Sequence, residues 1–232
     1  MKPINYEKLM RIARIVVFVT LIASLAFSAY RVLSSPADAK DIIDGNVIRT
    51  KSDYVLMCLQ CLLGIFVLFL PSFIEKHFNF SIPNGMYIMY IIFLYCAIYL
   101  GEVRSFYYRI PNWDTYLHAM SSMMLGTLGF SVVSFLNSHD TVAVKMNPIF
   151  VALFAFSFAV MIGTLWEVYE YTFDGLLGLN MQKFASDGGV NLIGRAALSD
   201  TMDDIIVDVI GALISAVIGY FTLIYHPRKS RS

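Results

Sequence analysis

Six apolar runs, each close to 20 residues long, constrain the fold of this 232-residue chain more than any other feature. A helix of about 20 apolar residues is long enough to cross the hydrocarbon core of a bilayer. Backbone polar groups find no water in lipid, so such runs are expected to be helical. The runs cover about residues 12–30, 54–74, 86–103, 114–136, 148–174 and 204–225. The sequence therefore predicts an all-α, polytopic membrane bundle of about six transmembrane helices, forming a single domain over residues 1–232.

The composition agrees with a membrane protein and excludes several other classes. Hydrophobic residues make up 58% of the chain and charged residues 15%, whereas a soluble domain has about 25% charged residues. The formal net charge is zero, so the chain lacks the basic footprint of a nucleic-acid-binding protein. The three cysteines, Cys58, Cys61 and Cys96, are an odd number and do not indicate a disulfide framework. We interpret the C-x-x-C spacing of Cys58 and Cys61 as packing inside an apolar helix.

Basic residues at the two ends of the chain predict its orientation. An even number of spans places both termini on the same side of the membrane. Lysine and arginine next to short loops and termini favour the cytoplasmic side. Both termini carry them, at Lys2, Lys8, Arg11, Arg14, Arg228, Lys229 and Arg231. The first run is too long for the apolar region of a signal peptide, so we expect a retained helix and a multi-pass plasma-membrane protein.

Three acids share one face at the end of the fifth run. Glu167, Glu170 and Asp174 stand at i, i+3 and i+7, within two turns of one helix. Carboxylates on a hydrophobic helix repel one another and are costly to remove from water. The alternative is that all three lie in the water of the lipid headgroups. That alternative suits Asp174 better than Glu167, which lies roughly 10 Å deeper.

A carboxylate and an imidazole stand one turn apart at the start of the fourth run. Asp114 and His118 are at i and i+4, a spacing at which the acid orients the ring or both side chains bind one metal ion. Ser122, Gly126 and Gly129 continue the same face and predict close approach of a neighbouring helix. A histidine at the membrane interface with a polar neighbour is the alternative interpretation.

A third acidic face opens the sixth run. Asp200, Asp204 and Asp208 stand at i, i+4 and i+8, with Asp203 beside them. Acids in the first turn of a helix also stabilise its dipole, which explains the earlier residues without a binding role. That explanation does not reach Asp208, which lies two turns further in. Contact with water at the membrane surface therefore explains the positions of Asp208 and Glu167 least well.

The three acidic segments converge on one side of the membrane. In alternating spans, the ends of the third and fifth runs lie at the same face as the starts of the fourth and sixth. If the termini are cytoplasmic, this face is extracytoplasmic. Such a cluster binds a divalent metal ion, retains protons, or does both. Its candidate metal ligands are Asp114, His118, Glu167, Glu170, Asp174, Asp200, Asp204 and Asp208, and the identity of the metal stays open.

Three short signatures resemble those of the YjdF-type family of uncharacterised bacterial integral inner-membrane proteins. They are W-D-T-Y-L-H at 113–118, W-E-V-Y-E at 166–170, and the acidic stretch that runs into Gly211 and Ala212. The resemblance covers roughly the second half of the chain. It implies a location in the bacterial plasma membrane and singles out the same polar residues, but it implies no reaction.

Three functions are compatible with these residues. The first is a metal-dependent hydrolase or transferase acting on a lipid or lipid-linked substrate, with His118 or Glu167 as general base. The second is an ion- or proton-coupled transporter, although the opposite half of the spans is almost purely apolar. The third is a non-catalytic membrane protein that holds a structural metal ion or binds a membrane protein partner.

Overall fold

Helices occupy every apolar run of the sequence. The structure is a computed structural model, and it describes residues 6–35, 42–43, 46–47, 49–78, 81–137, 146–186 and 190–225. The helices are α1 (Tyr6–Ser34), α2 (Lys51–Leu68), α3 (Leu70–Phe78), α4 (Asn84–Leu94), a π-helix (Tyr95–Val103), α5 (Phe106–Arg109), α6 (Trp113–Asn137), α7 (Pro148–Leu177) and α8 (Arg195–Tyr225). Two strands of two residues each, Ile42–Ile43 and Asn46–Val47, form a minimal antiparallel hairpin between α1 and α2.

The prediction of six membrane-spanning helices is confirmed. Within the described residues, six helical stretches are long and apolar enough to cross a bilayer. Most of them extend a few residues beyond the predicted limits, and α8 begins at Arg195, nine residues before the predicted start. The early start places Asp200 inside the helix, beyond its first turn. The ends of the chain, residues 1–5 and 226–232, lie outside the described part, so the cytoplasmic location of the termini stays a prediction.

The second span differs from the prediction because it contains a break. Helix α2 ends at Leu68 and α3 begins at Leu70. Pro71 has no N–H to donate to the carbonyl oxygen of Val67, four residues earlier. The hydroxyl of Tyr90 on α4 donates a hydrogen bond to that oxygen instead, at 2.5 Å. A neighbouring helix therefore satisfies the backbone group that proline leaves without a donor, as membrane helices require.

The third span ends in a π-helix that the sequence pattern did not predict. Its last residues precede Ser105, which has a left-handed φ of 62°. The guanidinium of Arg49 donates hydrogen bonds to the carbonyl oxygens of Glu102 and Val103, at 3.0 and 3.2 Å, and to the hydroxyl of Ser105. The side chain of Arg49, more than 50 residues away in the sequence, thus satisfies the last carbonyl groups of the π-helix. Residue periodicity does not predict such a contact.

The helices belong to two compact units. The first comprises the described parts of Met1–Asp114 and Val168–Thr201, and the second those of Thr115–Glu167 and Met202–Ser232. In the first unit, α1 packs on α2, and Leu21, Met57 and Leu68 are fully buried. A Cβ at Gly64 would collide with Ile98, so this glycine allows the π-helix segment to approach α2 closely.

Small residues hold the helices of the second unit together. Helix α6 presents Gly126 to Ser215 of α8 and Gly129 to Ala155 of α7, and a Cβ at either glycine would overlap these neighbours. Gly211 of α8 lies equally close to Ser122 of α6. The predicted close approach along the Ser122–Gly126–Gly129 face is confirmed. Close backbone approach brings the polar residues of three helices within reach of one another.

Candidate functional site

An imidazole and three carboxylates meet inside the second unit. His118 comes from α6, Glu167 from α7, and Asp204 and Asp208 from α8. Their residues are between 2% and 7% exposed. We call these four residues the His118 cluster. Each stands on a helix face that the sequence predicted to be polar, and Glu167 and Asp208 are the acids that solvation explained least.

The two nitrogens of the imidazole have different surroundings. Nδ1 lies 3.3 Å from Oδ2 of Asp208, within hydrogen-bond distance. Nε2 faces Oε1 of Glu167 at 3.9 Å and Oδ2 of Asp204 at 3.8 Å. These two distances exceed the limit of a hydrogen bond. A neutral imidazole that donates its Nδ1 proton to Asp208 would direct the lone pair of Nε2 towards the other two carboxylates.

The His118 cluster concentrates negative charge in a buried place. Its imidazole carries at most one positive charge, whereas its three carboxylates carry up to three negative charges. Burying carboxylates is costly unless cations, protons or hydrogen bonds compensate them. Among the described residues, no hydrogen-bond donor reaches Oδ1 of the almost fully buried Asp208. The arrangement therefore favours a bound cation or a retained proton.

Gly163 is a part of this site that the sequence reasoning missed. It lies on α7 one turn before Glu167, and a Cβ there would collide with the carboxylate of Asp208. The carboxylate of Asp208 therefore occupies the space that a side chain at position 163 would fill. Gly163 and Glu167 stand at i and i+4, so the sequence places them on the same face of α7. The role of Gly163 becomes clear only from the packing of α8 against that face.

The other candidate ligands belong to the first unit, where protein groups engage them. Nζ of Lys183, in the loop between α7 and α8, lies 2.5 Å from Oδ2 of Asp114 and 2.9 Å from Oδ1 of Asp200. The carboxylate of Asp174 accepts hydrogen bonds from the backbone N–H groups of Met181 and Gln182, at 2.8 and 3.0 Å. Glu170 is partly exposed. Of the eight predicted ligands, the second unit brings together His118, Glu167, Asp204 and Asp208.

Lys183 is a second residue whose role came from the tertiary structure. It is the sole lysine or arginine between Gly175 and Gly194, and its backbone has a left-handed φ of 46°. Burial lowers its pKa, but the charges of Asp114 and Asp200 and their hydrogen bonds outweigh burial and raise the pKa overall. Lys183 therefore stays charged at neutral pH and joins the first turn of α6 to the second turn of α8.

We expect Lys183→Met to lower the stability of the protein by about 2 kcal/mol, because it leaves two partly buried carboxylates without their shared cation. Lys183→Arg restores the charge and most of the stability. An unfolded lysine has a pKa of about 10.4, so the ion pairs contribute fully below that pH. Their contribution is lost only as the pH rises through the higher folded-state pKa. Thermal melting in detergent at pH 7 tests this, and equal melting of Lys183→Met and wild type contradicts it.

Comparisons with known proteins agree with a membrane location. The model of a family described as "Predicted membrane protein (DUF2238)" matches residues 42–224. An "Uncharacterized protein" of Thermotoga maritima is 28% identical over 164 residues, which cover 68% of this chain and 76% of that protein. No solved structure matches the chain. Residues 42–224, which the family model matches, include the whole His118 cluster.

Proposed function

The chain belongs to the DUF2238 family of multi-pass bacterial membrane proteins, and we propose that its function depends on a divalent metal ion held by the His118 cluster. In this proposal, Nε2 of His118 and one oxygen each of Glu167 and Asp204 are the ligands. Asp208 is the residue that orients the imidazole. The observation that carries the proposal is the position of Nε2 between two carboxylates while Nδ1 is engaged by a third.

The geometry fits such an ion. Histidine ligands in metal sites usually donate their second ring N–H to a carboxylate, and Asp208 provides that acceptor here. Two ligands bound at about 2.0–2.2 Å to one tetrahedral ion lie roughly 3.4 Å apart. The separations from Nε2 to the two carboxylates, 3.8 and 3.9 Å, are within a small side-chain adjustment of that value.

The ligand types favour a transition metal. Magnesium and calcium prefer shells made entirely of oxygen, whereas imidazole together with carboxylates suits zinc, manganese or iron. A cation would also compensate the negative charge of the buried cluster. We therefore expect a divalent transition metal, with zinc and manganese as the first candidates.

The proposed reaction is that of a metal-dependent hydrolase or transferase acting on a lipid or lipid-linked substrate. Three protein ligands are the number found in catalytic zinc sites, which keep one coordination position open. A divalent ion there would act as a Lewis acid on a carbonyl or phosphoryl oxygen. Glu167 has a second carboxylate oxygen besides the one facing Nε2, so Glu167 is the general base of this proposal. His118, with both nitrogens engaged, is a ligand.

A structural metal site is the second candidate, and the near-complete burial of all four residues favours it. Proton or ion transport has less support. In the described part of the second unit, the hydroxyls of Ser122 and Ser215 donate to carbonyl oxygens of their own helices. Beyond them the packed residues are Gly129, Ala155 and Val133. A transport pathway would need polar groups that continue through this apolar layer.

Metal analysis of the protein, purified in detergent without chelator, tests the proposal. We expect one equivalent of a transition metal and a lower melting temperature after chelation. An ion at 100 times its dissociation constant stabilises the folded state by about 2.7 kcal/mol, or about 5–10 °C for a chain of this size. Absence of metal, together with no melting shift on adding zinc, manganese or iron, would falsify it.

Cobalt substitution separates the two candidate functions. We expect azide to change the visible spectrum of the cobalt protein if the site has an open coordination position, as the hydrolase or transferase proposal requires. A spectrum that azide leaves unchanged indicates a closed shell. That result supports the structural site and contradicts the catalytic one.

A further inference from the structure

A polar junction joins three helices of the first unit and contains none of the acidic residues described above. Arg14 of α1, Ser72 of α3 and Tyr87 of α4 form it. Only five residues separate the end of α3 from the start of α4, so these two ends lie at one membrane face. Ser72 stands six residues before the end of α3, roughly 9 Å along the axis, and Tyr87 three residues after the start of α4, roughly 5 Å. Both positions therefore lie near the ends of their spans, where we expect lipid headgroups.

The junction has more hydrogen-bond donors than it can use internally. Nη1 of Arg14 donates to the hydroxyls of Ser72 and Tyr87, at 2.8 and 3.1 Å, and the two hydroxyls lie 2.9 Å apart. A guanidinium has five N–H donors and no acceptor. Two donors serve the hydroxyls, and one hydroxyl proton serves the other hydroxyl. The Nε proton, both Nη2 protons and one hydroxyl proton are left for an acceptor from outside the junction.

The charge of Arg14 also lacks compensation within the described part of the chain. No described carboxylate lies within ion-pair distance of Arg14. The nearest acid along α3, Glu75, uses Oε1 to accept the backbone N–H of Ile82, at 3.0 Å. Arg14 is partly buried, and a cation at membrane depth is costly unless an anion or water compensates it.

The surroundings combine further positive charge with apolar surface. Arg11 lies one turn before Arg14 on α1, and Lys76 one turn after Ser72 on α3, and both side chains are exposed. Ile15 and Phe73, next to the junction residues in sequence, are more than half exposed. A ligand with an anionic head and hydrocarbon chains matches both features.

We propose that Arg14, Ser72 and Tyr87 bind the phosphate of an anionic phospholipid. The free edge of the guanidinium, Nε and Nη2, presents parallel N–H donors in the geometry that binds two phosphate oxygens. Tyr87 is 6% exposed, so packing fixes the hydroxyl that orients Arg14. The site is independent of the His118 cluster and of any reaction there.

Lipid titration of the delipidated full-length protein in detergent tests the proposal. The probes are dioctanoyl phosphatidylglycerol, dioctanoyl phosphatidylcholine and inorganic phosphate, and native mass spectrometry measures the bound fraction. We expect phosphatidylglycerol to bind most tightly. Arg14→Gln should weaken that binding roughly fivefold or more, the effect of about 1 kcal/mol that one basic side chain contributes near anionic lipid.

The controls distinguish the outcomes. Arg109→Gln removes an exposed arginine of α5 and should leave the affinity unchanged. Wild-type affinity in Arg14→Gln, or equal binding of phosphatidylcholine, overturns the proposal. Equal binding of inorganic phosphate with the same loss in Arg14→Gln shows a free-anion site and overturns the lipid assignment. If Arg14→Gln does not fold, Tyr87→Phe decides: weaker binding than wild type supports the site, and unchanged binding contradicts it.

Discussion

Replacing Glu167 by glutamine should abolish the metal-dependent stabilisation of the protein while leaving the metal-free protein as stable as wild type or more stable. The substitution removes a charge and a ligand but keeps the size of the side chain. Loss of a residue that only orients a ligand typically weakens metal binding roughly 10–100-fold. Loss of a direct ligand should therefore weaken it by at least about 100-fold. Without metal, the same change relieves repulsion among the buried carboxylates of Glu167, Asp204 and Asp208.

Metal titration monitored by thermal melting measures both effects in one sample. Asp204→Asn should behave like Glu167→Gln, because both oxygens face Nε2 of His118. Asp203→Asn is the matched control, since Asp203 is exposed on the same helix and one residue from Asp204. A wild-type melting shift in Glu167→Gln contradicts the proposed ligand set. Loss of the shift in Asp203→Asn shows a general effect of acidic charge and contradicts it equally.

Gly163→Ala should destabilise the second unit and disturb the His118 cluster at the same time. The added Cβ would overlap the carboxylate of Asp208, so either α7 and α8 separate or Asp208 moves away from His118. Overpacking of this kind typically costs about 1–3 kcal/mol of stability. Displacing Asp208 also releases Nδ1 of His118, so metal affinity should fall roughly 10–100-fold.

A matched glycine and a double-mutant cycle identify the cause. Gly175 lies on the same helix, and a Cβ there meets no atom within 4 Å, so Gly175→Ala should be neutral or slightly stabilising. In an Asp208→Ala background the overlap with the carboxylate disappears and only the 3.3 Å contact with the Cβ at position 208 remains, so Gly163→Ala should then cost much less. An equal cost of Gly163→Ala in both backgrounds means that Asp208 is not the group it displaces. Melting temperature and metal affinity of the four variants give the cycle.

The membrane spans and the polar helix faces follow from local properties of the sequence. Apolar length is set by the thickness of the bilayer, and helical spacing follows from 3.6 residues per turn, so both are local properties that the residues carry with them. For this reason the six helices were predicted with errors of mostly a few residues at their ends. The same logic identified Glu167 and Asp208 as acids that needed another explanation than solvation.

The division of the polar residues among different partners depends on how the helices pack. The sequence offered eight candidate metal ligands, but only four of them form the His118 cluster. Asp114 and Asp200 share Lys183, and Asp174 accepts hydrogen bonds from loop N–H groups. These partners are up to 90 residues apart in the chain. Such pairings depend on which glycines let helices approach and on where a loop lysine lies. Helical periodicity describes one helix at a time, so it contains no information about either.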